Sequence, residues 1–130
     1  MFQFHATTVE AYLGEFAIFT VHFDDGQDRY LQLRAPEQLE DPREFEPGYG
    51  SVEVEVNDQF YSGYNCFSTA ELARDRFHLI FARDDSLVRQ FGEVLVTFEL
   101  DDADFADLRS GLAHVFRDFT GFVMDSPKNS

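Results

Sequence analysis

Residues 51–82 read SVEVEVNDQFYSGYNCFSTAELARDRFHLIFA. The first segment, Val52-Glu53-Val54-Glu55-Val56, alternates apolar and acidic residues. That is the period of a half-buried strand, valines inward and glutamates in water. Asn57-Asp58-Gln59 is turn chemistry, because Asn and Asp tolerate left-handed backbone and bond their own main chain. Ser62-Gly63-Tyr64-Asn65 is a second loop signal. From Phe67 to Ala73 an extended pattern resumes, with Ala70 and Leu72 on one face. Arg74-Asp75 reads as a two-residue connection, and Phe77, Leu79 and Phe81 form the next inward row. The centre of the chain is therefore expected to be a meander of antiparallel strands, and nothing in it resembles a catalytic motif.

Working outward, residues 2–13 are rich in β-formers, with Phe2, Phe4 and Ala6 on one face. Residues 16–23 (FAIFTVHF) place Ala17, Phe19, Val21 and Phe23 on one face and Phe16, Ile18, Thr20 and His22 on the other. Apolar residues on both faces predict a central strand or one covered by a helix. Residues 24–28 form a hairpin loop with Asp-Gly as its signal, answered by a strand from Tyr30 to Arg34. Residues 35–50 carry Pro36, Pro42 and Pro47 and are the one long irregular segment, with a helical turn near 36–39. Loops of this length often carry function, and a solvated surface excursion is the equal alternative.

Beyond the centre, Asp84-Asp85-Ser86 caps a short helical segment, 87–91, that Gly92 stops. A last strand covers 94–100. A helix then runs from about 101 to 119, its apolar stripe formed by Phe105, Leu108, Leu112, Val115, Phe116 and Phe119. Asp101, Asp102 and Asp104 crowd its first turn, where the helix dipole favours them. The expected class is α+β: an antiparallel β-sheet meander with a long C-terminal α-helix packed on one face. Residues 1–122 form a single domain and 123–130 a flexible tail, frayed from Met124 on.

A chain of 130 residues fits one domain with an independent core. Its 44% hydrophobic and 16% aromatic content excludes a disordered chain despite the charge. The formal net charge of −15 disfavours nucleic acid and anionic membranes and favours a basic protein partner. Cys66 is the only cysteine, so neither an intrachain disulfide nor a cysteine-rich zinc site is expected. The opening residues show no basic, apolar leader, and no apolar run is long enough to span a membrane, which predicts a cytoplasmic location.

Candidate chemistry is thin. His5, His22, His78 and His114 lack metal-ligand spacing. Cys66 and His78 are the nearest nucleophile–base candidates, and a semi-buried thiol is the default. The adjacent acids Asp24/Asp25, Glu40/Asp41, Asp84/Asp85 and Asp101/Asp102 suit solubility and capping, since acid–base catalysis needs two carboxyls in differently polar settings. No catalytic residue, metal site or cofactor is expected. A partner surface is: Glu53, Glu55 and Asp58 combine with Glu40, Asp41, Glu44 and Glu46 into an acidic face bordered by Tyr61 and Tyr64. Between Glu37 and Asp58 stand eight acids and one base, Arg43. Acid supplies steering and aromatics supply anchors; core or turn roles for the tyrosines are the even alternative.

Three segments resemble the immunity protein 10 family: VEVNDQFYSGYNC from Val54, AELARDRFHLIF from Ala70 and VTFELDDADFADLRSGLAHVF from Val96. YLQLRAPE from Tyr30 matches the family's early strand. The family's loop after Ser-Gly-Tyr is more glycine-rich and aliphatic than Asn65-Cys66-Phe67. The resemblance implies a cytoplasmic antidote in bacterial competition that binds a cognate toxin protein and is not an enzyme; the chain's acidity favours a basic toxin. A homodimer is compatible with the sequence. The alternative is a small ligand-binding or enzymatic domain with a pocket between sheet and helix, which would need His22, His78 and Cys66 to converge.

Overall fold

The computed structural model describes residues 2–14, 17–36, 52–64, 67–81, 91–117, 119 and 122–124, without the side chains of Gln59, Phe60 and Tyr64. Among these, ten strands form two five-stranded, mostly antiparallel sheets, joined by one helix near the C-terminus. The strands are β1 (Phe2–His5), β2 (Thr8–Leu13), β3 (Ile18–Asp24), β4 (Tyr30–Pro36), β5 (Glu53–Val56), β6 (Asp58–Tyr64), β7 (Phe67–Ala73), β8 (Arg76–Phe81), β9 (Glu93–Thr97) and β10 (Phe122–Met124); the helix is α1 (Asp102–Val115). Sheet A has the order β1-β9-β8-β7-β10 and sheet B the order β2-β3-β4-β5-β6. The α+β class holds.

The meander runs in two pieces, β2 to β6 in sheet B and β7 to β9 in sheet A. The chain passes from sheet A to sheet B between Ala6, whose N–H donates to Thr97 O (2.8 Å), and Thr7, whose N–H donates to Asp24 O (2.8 Å). It returns to sheet A between β6 and β7. Residues 62–64, expected as a loop, continue β6, and Asp58 begins that strand. The break contracts to Asn57, held at φ 63, where Asn fits with little strain. Met124, expected in a frayed tail, pairs with Leu72 through the parallel ladder of β10 on β7. β3 starts only at Ile18 because Ala17 has φ 56, and β9 stops at Thr97 rather than at residue 100. Of the short helix expected at 87–91 only Phe91 is among the described residues, and of the turn at 36–39 only Pro36, which ends β4.

Alternation sorts the core as the sequence predicts for most strands. Val21, Phe23, Leu31, Leu33, Val54 and Val56 on sheet B face Phe77, Leu79, Val94 and Val96 on sheet A, and all are fully buried. Phe23 stacks on Phe77 at 5.5 Å and on Phe98 at 6.3 Å, which joins the two sheets through ring contacts.

The helix starts where Asp101 accepts a hydrogen bond from Asp104 N (2.7 Å), satisfying one of the first-turn donors. Leu108, Leu112 and Val115 are buried beneath it. Gly111 explains how it docks. A Cβ at that position would stand 2.8 Å from Ala11 Cβ and 3.3 Å from the Phe19 ring, so only glycine lets the helix lie this close to β2 and β3. At the other end Phe116 meets Phe67 (5.2 Å) and Phe77 (6.2 Å) of sheet A. The helix thus fills the space between the sheets on the β2 side.

Candidate functional site

The expected acidic face divides when its residues are located. Glu40, Asp41, Glu44 and Glu46 lie outside the described residues. Glu53 and Glu55 stand on β5, Asp58 opens β6 and is exposed, and Tyr61 and Tyr64 follow on β6. Register pairs Glu53 with Tyr64 and Glu55 with Ser62, so β5 and β6 bring three of these positions side by side.

The glutamates are not out in water, as alternation alone suggested. Cross-strand register aligns Glu10, His22, Gln32, Glu55 and Ser62 in one row of the outer face of sheet B, and Tyr12, Thr20, Arg34 and Glu53 in the next. Residues directly opposite each other on one face come within reach. Glu55 is 8% exposed and accepts a short hydrogen bond from the Tyr30 hydroxyl. Glu53 is paired with Arg34. Tyr30 stacks at 5.6 Å on His22, whose Nδ1 lies 3.0 Å from Gln32 Oε1 and whose Nε2 lies 3.1 Å from Asp24 Oδ2. Burial, then the bond to Glu55, pushes the Tyr30 hydroxyl well above the usual phenol range. This face is a tied, rigid polar network rather than a set of unengaged charges.

Tyr61 follows the alternative set out for it. It is half-buried and packs edge-on against Phe91 at 5.3 Å, within the core margin. Its role at a surface would be limited to whatever its exposed portion reaches.

Apart from Asp58, the acids that face solvent stand elsewhere. Glu10 on β2, Glu71 on β7, Asp75 in the β7–β8 turn, Glu99, and Asp101, Asp102, Asp104 and Asp107 at the start of α1 are exposed. Asp102 is held by Arg74 at 3.0 Å, and Arg74 also covers the Phe105 ring at 4.7 Å. The signal for α1 was present: acids crowd its first turn, where the helix dipole favours them. The signal for Tyr30, Gln32 and Arg34 was half present. Alternation puts them on the polar face of β4, but only register pairs them with β5.

No constellation for catalysis assembles among the described residues. His22 and His78 sit on the outer faces of opposite sheets, each beside a residue that points into the core, Phe23 and Phe77. Cys66 lies outside the described residues. At the Gly111 crossing a Cβ would stand 2.8 Å from Ala11 Cβ, so the helix and β2 are in close contact there. A cleft of about 410 Å³ lies on the outer face of sheet A, lined by Glu71, Leu72, Ala73, Arg76, His78, Glu93 and Leu95, with His78 Nε2 2.8 Å from Glu93 Oε2. Among the described residues no three His, Cys, Asp or Glu side chains converge to hold a metal ion, and no helix is long and apolar enough to cross a membrane.

Comparison with known proteins gives one family. The family model described as immunity protein 10 matches residues 5–106. No curated protein and no solved structure matches the chain.

Proposed function

The chain belongs to the immunity protein 10 family, which makes it an immunity protein against a toxin; from that premise we propose that it neutralises a cognate toxin by binding it through its acidic exterior. The match over residues 5–106 carries this reading, because it spans both sheets and the start of α1. The net charge of −15 supports a basic toxin, whose approach it would accelerate.

The contact surface we propose is the acidic face of sheet B, Glu53, Glu55, Asp58 and Tyr64, with the exposed portion of Tyr61 at its margin, extended by Glu40, Asp41, Glu44 and Glu46 from the β4–β5 connection. The network under Glu53 and Glu55 supports it in one respect. Side chains already fixed by Arg34 and Tyr30 lose little conformational freedom when a partner docks. The protein acts as a plug and makes or breaks no bond, working in the cytoplasm of the cell that makes the toxin. The test is co-expression with the toxin encoded beside this gene. Growth should be rescued, and the two chains should co-elute on size exclusion. Toxicity undiminished by the protein, with the chains eluting apart, overturns the reading.

A further inference from the structure

Each sheet has two outermost strands, and most of these are blunted. β1 is four residues long and β10 three. β6 carries a register shift against β5, between Glu55 and Val56. β2 is different. It runs six residues in unbroken register with β3 and contains no Pro, Gly or Lys. Natural proteins avoid leaving such an edge open, because its main-chain groups template pairing with another chain.

The orientation of those groups follows from the ladder. Gly14 N donates to Ile18 O at 2.8 Å, and the same register continues through Tyr12–Thr20 and Glu10–His22. In an antiparallel pair the hydrogen-bonded positions alternate. The even residues of β2 therefore turn toward β3, and Val9, Ala11 and Leu13 turn their N–H and C=O groups away from it. No described strand pairs with that side. The apolar surface points the same way. Tyr12 (44% exposed) and Leu13 (49%) are two of the three large hydrophobic side chains exposed among the described residues, and both stand on β2.

We propose that β2 is a docking edge that takes an extended, lysine- or arginine-bearing segment of a partner protein as a further strand of sheet B. Main-chain bonds to Val9, Ala11 and Leu13 supply affinity, and alternate side chains supply specificity. Charge selects the occupant. Glu10 is exposed at mid-strand, and the helix that crosses β2 at Gly111 exposes Asp104 and Asp107. A second copy of this chain would bring another −15 of charge to the same place, whereas a basic segment meets acid on both sides. In the cell this segment belongs to the toxin, a step that rests on the function proposed above.

The probe is a synthetic peptide, acetyl-(Lys-Val)3-amide, with (Glu-Val)3 as its counterpart, read by amide hydrogen exchange on the full chain. The Lys peptide should slow exchange at Val9, Ala11 and Leu13 by about tenfold or more, and the Glu peptide should not. Leu13→Pro, which removes an outward N–H and leaves the β3 ladder intact, should abolish the effect. Glu10→Lys, which keeps the fold without a proline, should reverse the peptide preference. Protection at another edge, protection at none, or equal protection by both peptides overturns the proposal. So does protection in the free protein that vanishes on dilution, since the occupant would then be a second copy. In cells, neutralisation of the toxin by wild type and equally by Leu13→Pro sinks the edge and leaves the immunity reading standing. A wild type that fails to neutralise sinks the immunity reading, while the peptide result stands by itself.

Discussion

The acids of β5 and the acids of α1 carry the same charge in opposite circumstances. Glu55 is buried and holds the Tyr30 hydroxyl, and Glu53 is engaged by Arg34. Asp104 and Asp107 stand exposed in the first half of α1, ahead of its buried Leu108, Gly111, Leu112 and Val115. The difference is one of secondary structure. A residue on a central strand inherits neighbours from two flanking strands, so its charge is met by whatever register supplies. An exposed residue near the start of a surface helix inherits little beyond its own helix and water. A count of acids along the chain treats the two groups alike; structure and energetics do not.

The widest separation between them is expected on removing Glu55. Glu55→Ala strands the Tyr30 hydroxyl in a half-buried site and should cost about 1–3 kcal/mol in urea denaturation, the usual penalty for an unmet buried polar group. Glu53→Ala should cost about 1 kcal/mol or less, because Arg34 is 41% exposed and can turn to water. The same network sets an alkaline limit. Tyr30 holds its proton more tightly folded than unfolded, since burial and Glu55 both oppose the phenolate. The stability it lends is therefore complete below its unfolded value of 10.0 and is lost as pH rises above it. Tyr30→Phe should flatten that decline in melts taken between neutral and strongly alkaline pH. An equal decline in both proteins would remove Tyr30 from the network.

Next in size come changes that test the helix side. Gly111→Ala gains about 1 kcal/mol of helix propensity but forces a methyl to 2.8 Å from Ala11 Cβ. Overpacking of this kind costs about 1–3 kcal/mol, so the net should be a loss of up to about 2 kcal/mol, measured by thermal unfolding. A neutral result would mean that α1 can lift off β2 at little cost. Asp101→Ala should cost about 1 kcal/mol by removing the acceptor of Asp104 N, the one acid of this group tied to its own helix end.

How far the chain could be read in advance follows the same division. Local pattern found the strands around Phe67–Ala73 and Phe77–Phe81, the Asp101 cap and the buried stripe of α1, because each is decided by residues near in sequence. The two sheets were not legible, since β1 on β9 and β10 on β7 are pairings between distant segments. Glu55 was assigned to water for the same reason: its partner Tyr30 lies 25 residues away on β4. Gly111 carried a usable hint, as a glycine inside a helical stripe marks close approach, but what approaches it is decided by β2 and β3.

The smallest effect on stability has the most to say about function. Asp104→Asn with Asp107→Asn should leave the unfolding free energy within about 0.5 kcal/mol of wild type, since both side chains are exposed. Against a basic toxin, the pair should nevertheless slow association severalfold at low salt and flatten its dependence on ionic strength, with dissociation little changed. Glu53→Gln tested beside it separates the two regions as docking surfaces. If the toxin rests on the outer face of sheet B, Glu53→Gln alters dissociation and the helix pair alters only approach. If it rests along β2 beneath α1, the helix pair reaches dissociation as well and Glu53→Gln becomes silent, because Glu53 sits on β5, three strands across the sheet from that edge.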